Sequence, residues 1–261
     1  MMRRVLFLLA FCAALTIVGA AQKDFGADWF NTGTNQEKTN RLASIGVDKK
    51  IAEAFFQDSR KPSPKWADLA STAGTDRALI FLPCSSLDRA YIYLMAKQTG
   101  RWSITDWNSF DCHYDESVAF TVEHLRSSHI DEIFVHHACE GHGTGYLQQD
   151  FFIFEARNGK LREIMDAAEV LRAYPVDGSP QIEQSSRFQV IPSDHSSSKQ
   201  IEEIRTKRIS RRTDSSEGGS TQAISHTKVQ RRILRWDSKR RRYIASPYAA
   251  VQGSTIQSKL Q

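Results

Sequence analysis

The chain has 261 residues, of which 40% are hydrophobic and 25% are charged, and its formal net charge is +5 at pH 7. Residues 22–198 hold 18 Lys and Arg against 25 Asp and Glu, a net charge of −7, whereas residues 199–242 hold 14 against 5, a net charge of +9. Because the body of the chain is acidic, this distribution argues against a nucleic-acid-binding core.

The first residues have the order of a targeting segment. A basic start at Met1–Arg4 precedes the apolar run Val5–Val18, and small residues follow at Gly19–Ala21. This order is typical of a secretory signal peptide. We therefore predict that residues 1–21 are a signal peptide and that the protein is secreted or periplasmic. No later stretch is apolar enough to cross a bilayer, so we expect no transmembrane span in the mature chain.

Residues 22–76 are predicted to form a lead-in with short helices. The polar residues 22–47 are rich in Gly, Asn and Thr and are predicted to be irregular. Asp48 offers a side-chain oxygen that can cap a helix, which would end before Pro62. A second short helix is predicted over Lys65–Ser71, where apolar residues share one helical face.

Residues 77–192 are predicted to form a β core. Short runs rich in β-branched and aromatic residues, bounded by turn residues, favour strands over helices. These runs fall into two similar groups. The first group is Ala78–Leu82, Ala90–Met95 and Trp102–Trp107, and the second is Asp131–Val135, Phe151–Phe154 and Leu161–Met165. Turns at Thr99-Gly100 and Asn158-Gly159 lie at matching places. We therefore predict a mainly β fold, an antiparallel meander of repeated strand–loop–strand–turn–strand modules with a few short helices.

Three further elements are predicted within this core. Ser117–Leu125 alternates apolar and polar residues, as a half-buried strand does. We expect it to pair antiparallel with Asp131–His137, opposite residues having numbers that sum to about 256. A short helix is predicted over Asp166–Tyr174, and another strand over Arg187–Ile191.

The basic part of the chain lies near its C-terminus. Residues 193–226 are rich in Ser, Lys and Arg and are predicted to be a linker or a long excursion. Residues 227–246 are predicted to be a basic hairpin, and residues 247–261 a loose tail. The hairpin carries a basic patch that can bind an anionic surface or a protein partner. The alternative is a solvated edge hairpin whose charges prevent strand-to-strand aggregation. The basic patch consists of Arg231, Arg232, Arg235, Lys239, Arg240, Arg241 and Arg242.

Residues 131–165 resemble the secreted bacterial β repeats of the FG-GAP and VCBS type. The similar residues are Asp131–Val135, Phe152–Phe154 and Asn158–Leu161, with a Gly-rich loop between the first two groups. Members of these families usually carry an Asp-rich calcium loop ahead of the first strand, whereas this chain has Arg126–Ile130 there. The resemblance therefore implies β repeats and does not imply a calcium site.

Three cysteines follow the predicted signal peptide: Cys84, Cys112 and Cys139. An oxidising compartment favours one disulfide and one remaining thiol. The predicted antiparallel strand pair brings Cys139 to the sheet end where Cys112 enters, which favours a Cys112–Cys139 disulfide. The rival pair is Cys84–Cys139, because these two residues occupy matching places in the two modules.

A metal site is the second chemical hypothesis. The candidate ligands are His113, His137 and His142, since two or three imidazoles suit Zn²⁺ or Cu²⁺. His136 and His137 would face opposite sides of a strand, so only one of them can join His142. By the same alternation, the neighbouring acids Asp131–Glu132 would point in opposite directions and cannot act as an acid–base pair.

These observations leave two hypotheses for function. In the first, the chain is a non-enzymatic exported protein without a cofactor, which binds a partner or an envelope component through the side of its His- and Gly-rich loop or through the basic hairpin. In the second, it is a metal-binding protein, with zinc or copper at His113, His137 and His142, or a metal-dependent hydrolase that uses this His-rich loop site. The sequence leaves open whether the protein is an enzyme.

Overall fold

The computed structural model describes Trp29 and residues 32–58, 63–72, 74–84, 88–112, 117–127, 130–141, 146–173, 180–193, 198–213, 222–251 and 256–260. The predicted signal peptide lies outside the described residues. No helix in the described ranges is long and apolar enough to cross a membrane.

Among the described residues two helices precede the strands, α1 over Asn35–Ser44 and α2 over Lys49–Gln57. The α2 helix confirms the prediction from Asp48, whose carboxylate accepts the backbone N–H of Lys50 at 2.8 Å. The α1 helix corrects the prediction that residues 22–47 are irregular throughout. Thr34 and Glu37 form a capping box at its start, a signature that the sequence already contained.

The rest of the described chain is antiparallel sheet, which confirms the mainly β meander. A four-stranded sheet has the order β1-β2-β3-β4, and a ten-stranded sheet has the order β12-β11-β10-β9-β8-β7-β6-β5, with β13 and β14 also paired to β11. The strands are β1 Lys65–Thr72, β2 Thr75–Leu82, β3 Arg89–Gln98, β4 Arg101–Asp111, β5 Ser117–Glu123, β6 Asp131–Gly141, β7 Tyr146–Arg157, β8 Lys160–Ala173, β9 Gln181–Ile191, β10 Gln200–Thr213, β11 Gln222–Asp237, β12 Arg242–Ala245, β13 Ala249–Ala250 and β14 Ile256–Leu260.

The two predicted modules correspond to β2-β3-β4 and to β6-β7-β8, which lie in different sheets. The predicted pairing of β5 with β6 is confirmed with a shift of one residue, because Val118 lies opposite His137 and Ser117 opposite Ala138. The predicted C-terminal hairpin is also present, with Trp236 paired to Tyr243.

Two predicted helices are strands. Lys65–Ser71 belongs to β1, whose Trp66 packs on the helix side of the four-stranded sheet while Ala67 and Leu69 pack on the other side. Because both faces are covered, the apolar residues do not show the simple alternation of a half-buried strand. Residues 166–173 belong to β8, where a β-bulge at Glu169 interrupts the alternation and produces an apparently helical spacing.

The predicted linker, residues 193–226, contains regular structure. Its described residues include β10 and the start of β11. Thirteen consecutive residues of β10 pair with β11, from Ile201 opposite Leu234 to Thr213 opposite Gln222. The composition suggested too little apolar surface for order. The strand is nevertheless held because β10 pairs with β9 on one side and β11 on the other. Its acidic residues also bind arginines: Glu203 binds Arg205 of β10, and Glu202 binds Arg231 of β11. The predicted loose tail likewise contributes β13 and β14.

The described sheets and helices form layers around three cores. One core lies between the helices and the four-stranded sheet, and includes Leu42, Phe55 and Ile80. A second lies between the two sheets, where Phe81 and Leu94 face Ile133 and Phe154. The four-stranded sheet is therefore covered on both faces, which explains the continuous apolar runs of β2 and β3.

The third core lies where the ten-stranded sheet folds back on itself. Phe151 and Ile153 of β7 and Met165 of β8 share this core with Leu234 of β11 and Tyr243 of β12. Arg242 of β12 also reaches Asp166 of β8, at 3.2 Å. Strands that are distant in the ladder order are thereby brought together.

A buried ion pair joins the two sheets. Arg77 of β2 is 6% exposed and Asp131 of β6 is 1% exposed, and Arg77 Nη2 lies 2.7 Å from Asp131 Oδ2. At the irregularity in β1, the Asp131 carboxylate accepts the backbone N–H of Ala70, and Arg77 donates to the Ala70 carbonyl. Arg77 also donates to the carbonyl of Ala156 at 2.9 Å. The pair therefore satisfies backbone groups that the ladders leave open.

We expect Asp131→Ala to lower the free energy of unfolding by about 3–5 kcal/mol, because it leaves a buried arginine without its counter-charge. The matched control is Asp111→Ala, which removes an exposed ion pair to Arg89 and should cost less than about 1 kcal/mol. Denaturant unfolding measures both. Equal losses in the two variants would contradict the role of the buried pair.

The disulfide joins Cys84 to Cys112, with their Cα atoms 5.8 Å apart. The predicted Cys112–Cys139 pair is therefore wrong, as is the rival Cys84–Cys139. Strands β2 and β4 run in the same direction on either side of β3, so the residues that follow them lie close together at the same end of the sheet. Cys112 N–H also donates to the Asp88 carbonyl at 2.7 Å, which holds it beside the loop after β2. Cys139 lies in the other sheet, in β6, opposite Gln148.

Replacing both Cys84 and Cys112 with Ala should lower the free energy of unfolding by roughly 3–4 kcal/mol, since the disulfide closes a loop of this size in the unfolded chain. The Cys139→Ala variant is the control and should keep the disulfide. Peptide mapping without reduction should recover Cys84 and Cys112 in one linked peptide. A linked peptide that contains Cys139 would contradict this pairing.

Candidate binding cleft

Of the three predicted metal ligands, only His137 belongs to the described residues. Its Nε2 donates to the backbone carbonyl of Asp111 at 2.6 Å, and its ring lies 5.9 Å from that of Phe110. His113 and His142 lie outside the described residues. Within the described ranges no group of three or more His, Cys, Asp and Glu side chains is placed to hold a metal ion. The metal hypothesis stays a prediction.

His136 faces the opposite side of β6, as strand alternation predicts. Its Nδ1 lies 2.8 Å from Oε2 of Glu169 in β8, and the Gln149 amide donates to the same oxygen at 2.9 Å. A carboxylate can only accept, so Nδ1 carries the proton. In the neutral ring Nε2 is then a hydrogen-bond acceptor, and it has no hydrogen-bond partner among the described residues.

A β-bulge places Glu169. Gln149 of β7 lies opposite Val170, and the next residue, Asp150, lies opposite Ala168, so Glu169 is the extra residue of β8. A bulge of this kind turns a side chain away from the regular alternation and is frequent beside functional sites. Glu169 is thereby brought to the same face as His136 and Gln149.

The imidazole and its carboxylate lie in a cleft between β8 and β9. Four residues of β8 pair with β9, from Val170 opposite Ser185 to Ala173 opposite Ile182. The part of β8 before Val170 and the part of β9 after Ser185 are not paired with each other. The separation opens a cleft of about 280 Å³. Five of its ten lining residues are apolar and five are polar or charged. They are Phe134, Phe151, Phe188, Val190 and Ile201, and His136, Glu169, Ser186, Arg187 and Gln189.

Aromatic stacking orders the floor of this cleft. The ring of Phe151 lies 4.9 Å from that of His136 and stacks 4.8 Å from that of Phe188. Phe134 meets Phe151 edge to face at 5.4 Å. His136 is 37% exposed and Glu169 21% exposed, so the pair is reachable from solvent. The cleft therefore offers an apolar surface with an oriented hydrogen-bond acceptor beside it.

The sequence identified the strand of His136 but not its partner. His136 and Phe134 share a face by simple alternation, which was a usable signal. Glu169 fell within the segment predicted to be a helix, and nothing in the residue pattern announced the bulge. The narrow β8–β9 pairing that opens the cleft was equally hidden, because it depends on where two strands part.

The basic patch is largely neutralised in the folded chain. Five of its seven members form ion pairs with acidic side chains: Arg231 with Glu202, Arg232 with Glu203, Arg240 with Asp237, Arg241 with Glu155, and Arg242 with Asp166. Arg235 and Lys239 have no such ion pair to a described residue and are exposed. The patch thus joins strands to one another more than it presents free charge.

One of these arginines reaches a buried acidic cluster. Arg241 donates to Glu155, and Arg126 binds both Glu155 and Glu132 at 3.0 and 2.6 Å while its guanidinium lies 4.1 Å from the Trp236 ring. Burial raises the pKa of the Glu132 carboxyl, and the nearby Glu155 carboxylate acts in the same direction. The Leu125 N–H and Arg126 oppose this shift. The cluster ties β6 and β7 to the C-terminal hairpin.

The two adjacent histidines are expected to hold opposite tautomers at pH 9. His136 should carry its proton on Nδ1, because that nitrogen donates to Glu169, and His137 on Nε2, because that nitrogen donates to a carbonyl. Long-range ¹H–¹⁵N correlation spectra distinguish the two forms. Glu169→Ala should remove the preference of His136 for the proton on Nδ1 and leave the tautomer of His137 unchanged. The same tautomer at both residues would contradict the described geometry.

Comparison of the chain with protein-family models, with curated proteins and with solved structures gave no match. The resemblance of residues 131–165 to FG-GAP and VCBS repeats therefore remains an expectation drawn from the sequence.

Proposed function

We propose that the chain is a non-enzymatic exported protein that binds a partner or an envelope component, and that the cleft at His136 holds a group of that ligand. The observation that carries this proposal is the cleft itself. It combines aromatic walls with a small number of oriented polar atoms, which is the usual composition of a ligand site.

Two features support export. The N-terminal segment has the order of a signal peptide. The Cys84–Cys112 disulfide is of a kind that persists mainly in oxidising compartments outside the cytosol. Together they favour a secreted or periplasmic location.

The chemistry of the cleft defines the group that it would accept. Phe134 and Phe188 supply apolar surface for a ring or a branched apolar group. In the neutral ring, Nε2 of His136 accepts a hydrogen bond, because Nδ1 carries the proton that is donated to Glu169. A ligand group with a flat apolar face and a hydroxyl or N–H donor at its edge fits both properties.

The basic patch is a weaker candidate for the same role. Most of its arginines are engaged by acidic residues of the same chain, so an anionic partner would have to displace those ion pairs. Exposed ion pairs contribute little stability, but the buried carboxylates of Glu203 and Glu155 would each lose one of the arginines that compensate their charge. A ligand in the cleft would not have to displace these ion pairs.

The test uses p-cresol and 4-methylanisole, two ligands of similar shape of which only p-cresol can donate a hydrogen bond. Titration of ¹⁵N-labelled protein should show p-cresol shifting the amides of Phe134, His136 and Phe188. It should bind about 3- to 10-fold more tightly than 4-methylanisole, as one hydrogen bond of about 1 kcal/mol implies.

The controls use the two adjacent histidines. His136→Ala should abolish the preference for p-cresol, whereas His137→Ala should preserve it because that ring lies on the other face of β6. Equal affinities for the two ligands in the unmodified protein, or shifts located away from the cleft, would contradict the proposal.

A further inference from the structure

The wall of the cleft on the β9 side is the edge of a strand. Five consecutive residues of β9 line the cleft, Ser186 to Val190, whereas β8 contributes only Glu169. Successive side chains of a strand point to opposite faces, so a cleft that lay over one face of β9 would touch alternate residues. Contact with five residues in a row places the cleft against the backbone edge.

That edge has unpaired backbone groups. Ser186–Ile191 pair with β10 on one side. Their pairing with β8 on the other side stops at Ser185. No backbone hydrogen bond to this second edge is found among the described residues. A strand edge with open N–H and C=O groups is a template for another extended chain.

The volume of the cleft limits what fills it. At about 280 Å³ it lies below the roughly 300–1,000 Å³ typical of sites for drug-sized ligands. Five strand residues nevertheless extend about 16 Å, at about 3.3 Å per residue. A ligand that fills the cleft and contacts this whole edge is long and thin, with one bulky group.

We propose that the ligand of this site is an extended peptide segment of a partner protein, which adds as a strand to the free edge of β9 and seats one aromatic side chain beside His136. This inference rests on the proposed function and names its ligand class. Strand addition of this kind draws affinity from main-chain hydrogen bonds and specificity from a pocket for a side chain. Tyrosine combines the flat apolar ring and the hydroxyl donor that the cleft accepts.

The experiment uses a blocked seven-residue peptide of alternating Thr and Val with a central Tyr. Two further versions carry N-methyl groups. In the first the groups are on the residues directly before and after the Tyr, and in the second they are on the Tyr and on the residue two places after it. Alternate N–H groups of a strand point to opposite edges, so the two versions block opposite edges of the peptide. Affinity is measured by titration of ¹⁵N-labelled protein, and amide exchange of residues 186–191 locates the peptide.

We expect one N-methylated version to bind at least tenfold more weakly than the parent and the other to bind within about threefold of it. The amides of β9 that face the cleft should exchange more slowly with the parent peptide bound. Replacing the central Tyr with Ala should also weaken binding at least tenfold. The His137→Ala protein should behave like the unmodified one.

Two results would overturn the inference and leave the proposed function intact. In one, both N-methylated peptides bind as well as the parent, so that only the side chain is recognised. In the other, p-cresol binds in a His136-dependent way but the parent peptide does not bind. If neither p-cresol nor the peptide binds at the cleft, both the inference and the proposed function fall.

Discussion

Two adjacent acids at the start of β6 hold the layers of this protein together. Asp131 points towards the four-stranded sheet and binds Arg77, and Glu132 points to the other side and binds Arg126. Both carboxylates are fully buried, so each depends on its arginine and on backbone N–H donors for its charge to be tolerated. Because one strand carries both, the register of β6 fixes the positions of the layers on either side.

The sequence predicted those parts of the fold that depend on neighbouring residues. The turn at Asn158-Gly159, the pairing of β5 with β6 and the C-terminal hairpin follow from turn chemistry and alternation. The errors arose where distant packing decides the structure. β1 is covered on both faces, β8 contains bulges, and β10 carries charges whose partners lie on neighbouring strands. None of these conditions is visible in a local window.

The candidate cleft shows the same division. The alternation of β6 placed His136 and His137 on opposite faces, which the structure confirms. The metal hypothesis chose His137, whereas the oriented imidazole in a cleft is His136. Its partner Glu169 comes from a bulge 33 residues later in the chain. The disulfide pairing also depends on distant structure. Cys84 and Cys112 meet because β2 and β4 run in the same direction.

The order of strands has a consequence for how the chain reaches this structure. In the described part of each sheet nearly every strand pairs with its predecessor and its successor, and β13 and β14 are the exceptions that return to β11. Closing such hairpins costs little loop entropy, and contacts of short sequence separation favour rapid folding. The ion pairs that join the layers span much more of the chain, 54 residues for Arg77–Asp131 and 86 for Arg241–Glu155. The ladders can therefore form strand by strand as the chain emerges, while the last layer closes only after the C-terminal hairpin has been made.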